Sequence, residues 1–274
     1  MVFGGIVLAG GQSTRMGSSK ASLDWHGMPL LERVCGIVER GVAGGPVVIV
    51  KAVRQELPPL PDRYAILEDA APGRGPLEGV RAGLEALVGR ADAAFVSATD
   101  VALIHPRFVS TVCDELRDDA VVVPQVRGHR QPLSACYRVA LHSEIGNLLD
   151  AGKTKPAMLF ERVATRWLTD PEIAALAGSQ ALDSVENLND PAAYEAACAV
   201  PLPLVSVEAC GTLRSRIEST SIRATTLGQL ARALDLELDG GIVTAVNGTQ
   251  VSGDPRLCLA AGDLVGFCSA DAGA

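Results

Sequence analysis

The sequence predicts an α/β chain, a mostly parallel sheet with helices on both faces, followed by a smaller α+β domain. Three observations predict it. Short apolar runs alternate with helical patterns through the first two thirds of the 274 residues. A polar, glycine-rich loop follows the first apolar run directly. A stiff stretch containing Pro201 and Pro203 then separates the remainder, where the patterning resumes.

The elements follow in order. Phe3–Leu8 is a short apolar run bounded by turn formers, and therefore a buried strand. After the loop, Leu30, Leu31, Val34 and Val38 recur at helical spacing. Strands are expected at 47–50 and 64–67, a helix carrying Leu77, Val80, Leu84 and Leu87 comes next, and 93–97 forms a further strand. Strands alternating with helices give a Rossmann-like, mostly parallel sheet covered on both faces. Ligands of such sheets sit at the carboxyl ends of the strands, where Gly10, Asp69 and Asp100 all fall. VPLPL at 200–204 cannot continue a helix and acts as a connector, dividing the chain into domains at 1–199 and 205–274. The second domain has a strand at 205–209, a helix at 227–234 and strands at 243–246 and 264–268, with Asn247-Gly248 suited to a tight turn.

Composition narrows the function classes. With 24 basic and 32 acidic residues the net charge is −8, so nucleic acid and anionic membrane are poor partners and any bound phosphate must be held locally. The seven cysteines form no C-x-x-C pair, which suggests neither a disulfide framework nor a zinc site, only small apolar residues in a reducing compartment. The apolar N-terminus lacks a preceding positive region, and no apolar run approaches the roughly 18 residues of a membrane helix. The expected location is the cytoplasm.

The loop LAGGQSTRMGSSK at 8–20 has the chemistry of a polyanion cradle. Glycines let backbone N–H groups approach phosphate oxygens, consecutive N–H groups form an anion nest, and Arg15 and Lys20 add positive charge. It matches neither the P-loop nor the G-x-G-x-x-G fingerprint. A surface loop rich in turn formers is the competing reading.

This string resembles the nucleotide-binding loop of the nucleotidyltransferase family that includes the molybdenum cofactor guanylyltransferases. The resemblance continues through Asp69, the run PGRGPLEG at 72–79, Asp100, RQPL at 130–133 and NLNDP at 187–191. It implies that Leu8, Ala9, Gly10, Gly11 and Lys20 contact a nucleotide, that Asp69 contacts the base or ribose, and that Asp100 holds magnesium. Arg130, Gln131, Asn187 and Asn189 would line the pterin side, and Arg15, Lys20 and Asp100 would act in catalysis. Two departures stand out. The family's guanine-reading asparagine is replaced within Val50-Lys51-Ala52-Val53, and Ala102 stands where a proline is common.

The residue types suit the chemistry. Attack on an α-phosphate brings two anions together, so the site must neutralise charge and align the reactants. Magnesium takes one or two carboxylates with phosphate oxygens and water, a role open to Asp100, which otherwise serves as a turn or cap residue. Asp69 can accept from the N1–H and amino edge of guanine, bind ribose hydroxyls, or cap a turn. Asn187 and Asn189 offer donors and acceptors, yet the same string is helix-start chemistry, with Asp190 capping and Pro191 in first position.

The last 70 or so residues, from VSVEACGTLR to the terminal SADAGA, resemble the ubiquitin-like β-grasp sulfur carriers, the small subunit of molybdopterin synthase in particular. That resemblance implies a carrier or docking domain, although Gly273-Ala274 stands where carriers end in Gly-Gly. The expected function is transfer of GMP from GTP to molybdopterin phosphate with Mg²⁺ and release of pyrophosphate. The alternatives are CTP as donor, or a sulfur-carrier or interaction protein whose first domain is inactive. GTP or CTP, molybdopterin and proteins of molybdenum cofactor synthesis or use are the expected partners.

Overall fold

The computed structural model describes residues 1–10, 19–69, 73–251 and 253–270. The chain divides into two compact units, Met1–Ala197 and Cys198–Ala274.

The first unit is built on an eight-stranded sheet. Its opening elements are β1 (Phe3–Leu8), α1 (Leu30–Gly41), β2 (Val47–Lys51), β3 (Ala65–Glu68), α2 (Pro76–Ala86) and β4 (Ala93–Ala98). They continue with α3 (Pro106–Asp114), β5 (Val121–Val126), β6 (His129–Arg130), β7 (Ser134–Arg138), α4 (Leu141–Asp150) and α5 (Pro156–Phe160). β8 (Thr165–Thr169), α6 (Asp170–Ala177) and α7 (Pro191–Cys198) complete the run. The order across the sheet is β3-β2-β1-β4-β7-β5-β6, with β8 paired to β5. β1 is flanked by β2 and β4 in parallel register, whereas β7 runs antiparallel to both β4 and β5. All strands but β6 and β7 therefore point the same way.

Packing explains why β1 sits at the centre. A Cβ on Gly5 would lie 2.5 Å from Val38 Cγ1 of α1, and a Cβ on Gly83 of α2 would lie 2.6 Å from Ile6 Cγ2. The two glycines thus admit a helix on each face of the same strand. On one face Ile6, Leu8, Val48, Val50 and Val96 pack with Leu77, Val80 and Leu84 of α2 and Leu141, Ile145 and Leu148 of α4. On the other, α1 and α3 approach so closely that a Cβ on Gly41 would meet Val109 at 2.3 Å. Each fully buried leucine of these stripes contributes about 1.5–3 kcal/mol of burial free energy.

The second unit carries a five-stranded sheet of order β10-β9-β13-β11-β12. Its elements are β9 (Leu204–Cys210), β10 (Thr220–Arg223), α8 (Leu227–Ala233), β11 (Ile242–Val246), β12 (Thr249–Val251) and β13 (Leu264–Ser269). β9 and β13 are parallel neighbours at the centre, and the other pairings are antiparallel. Val205, Val207, Val265 and Phe267 pack against Leu227 and Leu230 of α8. Thr226 caps that helix by accepting from Gln229 N–H at 3.2 Å. Asn247 and Gly248 both take positive φ, 52° and 80°, the geometry of a two-residue hairpin turn between β11 and β12.

The cysteine expectation needs correcting. Cys35, Cys113, Cys136 and Cys258 are buried thiols outside any disulfide, but Cys210 and Cys268 form one. The two are register partners in the parallel β9–β13 pair, with Cα atoms 4.7 Å apart. A pair 58 residues apart leaves no local spacing to read.

Candidate active site

The carboxyl ends of β1, β2, β3 and β4 surround a cleft of about 760 Å³. It lies where parallel strands of an open α/β sheet leave their backbone ends uncovered. The end of β1 is clamped from both neighbours. Ala9 N–H donates to Val50 O at 2.8 Å, and Leu8 O accepts from Thr99 N–H at 3.2 Å and from the Thr99 hydroxyl at 3.0 Å. The chain therefore leaves the sheet in a set direction at Ala9 and Gly10, the root of the glycine-rich loop.

On the β4 side, Lys20 Nζ donates to Asp100 Oδ2 at 2.7 Å, and both side chains are about four-fifths buried, with 20% and 19% exposure. Asp100 Oδ1 is buried with no hydrogen-bond partner among the described residues. A buried carboxylate oxygen left open beside a lysine is the donor a divalent cation would use. Among the described residues no group of three His, Cys, Asp or Glu side chains gathers to hold a metal, so Asp100 stands here as a single carboxylate. A single carboxylate fits a divalent cation that takes its other ligands from phosphate oxygens and water. The Asp100 carbonyl accepts from Leu188 N–H at 2.8 Å, which draws the 187–189 segment to the site, and Lys20 Nζ also reaches Asn189 Oδ1 at 3.4 Å.

On the β2–β3 side, Asp69 N–H donates to Lys51 O at 2.7 Å, placing Asp69 on the cleft wall beside Lys51 and Ala52. The Lys51 ammonium is paired with Glu68 at 3.1 Å. Gly73, Gly75 and Pro76 close this side. Pro76 opens α2 and Gly75 precedes it at φ 77°, a conformation glycine adopts without a Cβ penalty. Behind them Glu78, 1% exposed, is held by Arg81 at 2.6 Å and Arg74 at 3.6 Å.

A second cleft of about 420 Å³ adjoins the first, sharing Gln131 and Asn187 with it. Arg127, His129 and Arg130 line it, with Asn189 opposite. The Arg130 guanidinium stacks on Trp167 with its central carbon 4.3 Å from the ring centroid, which pre-sets its orientation. Arg127 is partly neutralised by Asp183 and Glu186.

The structure gathers Leu8, Ala9, Gly10, Lys20, Asp69, Asp100, Gln131 and Asn187 into the larger cleft, and Arg130 and Asn189 into the smaller. Gly11, Arg15 and Pro72 lie outside the described residues. The helix-start reading of the 187–191 string holds. Asp190 caps α7, accepting from Ala193 N–H at 2.8 Å, while the asparagines before it line the clefts. Sequence reasoning missed Thr99, Arg127 and Trp167. Thr99 stands beside Asp100 and was within reach of that motif, whereas the others are set by contacts between distant segments.

Comparison with known proteins agrees with this geometry. The MobA-like NTP transferase domain family matches residues 5–168. A "Probable molybdenum cofactor guanylyltransferase" of Mycobacterium ulcerans is 36% identical over 181 residues, 63% of this chain and 86% of its own. A protein of the same name from Bacillus cytotoxicus is 28% identical over 171 residues, 61% of this chain and 84% of its own. Among solved structures, molybdopterin-guanine dinucleotide biosynthesis protein A from Archaeoglobus fulgidus superposes with a TM-score of 0.55 at 21% identity, covering 71% of this chain and 96% of its own. A nucleotidyl transferase from Methanothermobacter does so at 0.52 and 15% identity, covering 72% and 95%. These two likenesses speak to the fold.

Proposed function

The chain belongs to the MobA-like NTP transferase domain family, and from that premise we propose that it transfers GMP from GTP to the terminal phosphate of molybdopterin. An oxygen of the acceptor phosphate attacks the α-phosphorus of GTP, the α–β phosphoanhydride bond breaks, and pyrophosphate leaves. The observation that carries the reading is the Lys20–Asp100 pair in the lining of the cleft, with Asp100 Oδ1 buried and without a hydrogen-bond partner among the described residues.

Each residue has a task in this reading. Lys20 places a fixed cation against phosphate oxygens whose charge grows as the anhydride bond breaks. Asp100 would hold magnesium, which would supply positive charge against the phosphates. Leu8, Ala9 and Gly10 begin the glycine-rich stretch assigned to the triphosphate, whose Gly11 and Arg15 lie outside the described residues. Asp69 receives the base or ribose on the opposite wall. Arg130, Gln131, Asn187 and Asn189 take the pterin and its phosphate in the adjoining cleft, close enough for two anions to be held together.

The strand order β10-β9-β13-β11-β12, with α8 following the first hairpin, supports reading 205–274 as a β-grasp domain beside a nucleotidyltransferase domain at 1–199. Such a domain suits docking to proteins that make or receive the cofactor. Its final residues, including Gly273 and Ala274, lie outside the described ones.

Purified protein, magnesium and molybdopterin, assayed for pyrophosphate with GTP and with CTP, test the proposal. Release with GTP is expected. Release with CTP alone would assign the protein as a cytidylyltransferase, and release with neither would sink the reading.

A further inference from the structure

We propose that Gln55 is a positioning residue that sets the nucleobase side of the cleft. The inference rests on the nucleotide reading above and extends it to a side chain which that reading leaves without a role.

The observations start at the turn after β2. Gln55 N–H donates to Ala52 O at 3.1 Å, closing a tight turn in which Arg54 takes φ 60°. The turn returns the Gln55 side chain toward the sheet. Its Oε1 accepts from Ala52 N–H at 2.9 Å, and its Nε2 donates to Ala9 O at 2.8 Å. Gln55 O accepts from Lys51 Nζ at 3.0 Å. One residue thus bridges the root of the glycine-rich loop to the loop after β2, and it does so at the cleft wall formed by Ala9, Gly10, Lys51 and Ala52.

The chemistry of the bridge is directional. Ala52 N–H can only donate and Ala9 C=O can only accept, so the carboxamide has one productive orientation and a carboxylate cannot replace it. The gap it sets is narrow: a Cβ on Gly10 would already lie 3.3 Å from Ala52 N. Across the sheet, Lys20 and Asp100 stand on the β4 side, and Asp69 and Lys51 on the β2–β3 side. A triphosphate held at the first leaves its nucleoside at the second. The Lys51 ammonium there is already engaged by Glu68 and by Gln55 O. Apart from Asp69, the wall facing the base is therefore largely backbone, and its spacing depends on Gln55.

The test compares binding of magnesium-GTP, magnesium-CTP and magnesium-tripolyphosphate, a probe without a base, to full-length wild type, Gln55→Leu and Gln55→Glu by titration calorimetry. Gln55→Leu should bind the preferred nucleotide roughly tenfold to hundredfold more weakly, from two backbone groups left unpaired. Its tripolyphosphate affinity should fall several-fold less than its nucleotide affinity, since the loop root keeps its other anchors, Ala9 N–H to Val50 O and Thr99 to Leu8 O. Gln55→Glu should be as weak at about pH 8 and recover relative to wild type toward about pH 5, where a protonated carboxyl again donates to Ala9 O. Taking the ratio to wild type at each pH cancels titration of Glu68, Asp69 and the nucleotide. Unchanged nucleotide affinity, an equal loss for tripolyphosphate, or a pH-independent ratio for Gln55→Glu would overturn the proposal while leaving the nucleotide reading in place. A wild type that binds none of the three probes would overturn both.

Discussion

Replacing Lys20 by methionine keeps the apolar stem and removes one charge, and the structure sets what that should do. The ammonium lies 2.7 Å from Asp100 Oδ2 and is 20% exposed. A freely solvated pair would be worth only about 0.2–1 kcal/mol. Here solvent screening is limited, and in the proposed reaction the cation faces phosphate oxygens whose charge develops during bond breaking. The loss should therefore match removal of one preorganised donor, about 10²- to 10³-fold in kcat, or roughly 2.7–4 kcal/mol. Because the interaction strengthens in the transition state, KM for GTP should rise by far less than kcat falls. Asp100, freed of its ammonium, should hold magnesium no more weakly than before. Steady-state pyrophosphate release across GTP and magnesium concentrations reads all three quantities. A kcat within about threefold of wild type, or a loss carried wholly by KM, would refute the assignment of Lys20 to the reacting phosphates.

Other outcomes follow from the same coordinates. Asp100→Asn should abolish the magnesium-dependent part of triphosphate binding, checked by calorimetry with and without the metal. Thr99→Val removes the hydroxyl bond to Leu8 O but leaves the backbone donor in place, so the cost should be about 0.5–1.5 kcal/mol by urea denaturation. Gly41→Ala drives a methyl to 2.3 Å from Val109 and should destabilise by roughly 1–3 kcal/mol, a shift visible in the thermal midpoint. Burial holds the His26 imidazole below its usual value of 6.5, against a smaller upward pull from Asp24. The unfolded chain then takes up that proton first, so the stability His26 contributes is present above about pH 6.5 and is lost as the pH falls through the folded value. His26→Asn, tolerated at φ 53°, should flatten the fall in urea midpoint between about pH 7 and 5.

Local patterning determined a good deal about this protein. The run Phe3–Leu8 is a strand with the expected bounds, the strand expected at 93–97 extends by one residue, and Leu77, Val80, Leu84 and Leu87 form one buried stripe. Asp69 and Asp100 were legible because each stands just past the end of a strand, and parallel strands bring such ends together, whereas Lys20 was legible as the cation closing the glycine-rich loop. Asn247-Gly248 announced its hairpin because a two-residue turn needs positive φ at both positions. Patterning failed where pairing is non-local. β5 contains Pro124 and β7 is the short run Ser134–Arg138, and neither says that β7 is inserted antiparallel between β4 and β5. Cys210 finds Cys268 only through the register of β9 and β13, and Gln55 reaches Ala9 across 46 positions. Periodicity along a chain reports which faces are buried. Which distant atoms meet at a cleft wall depends on crossovers and register, and only the folded sheet decides those.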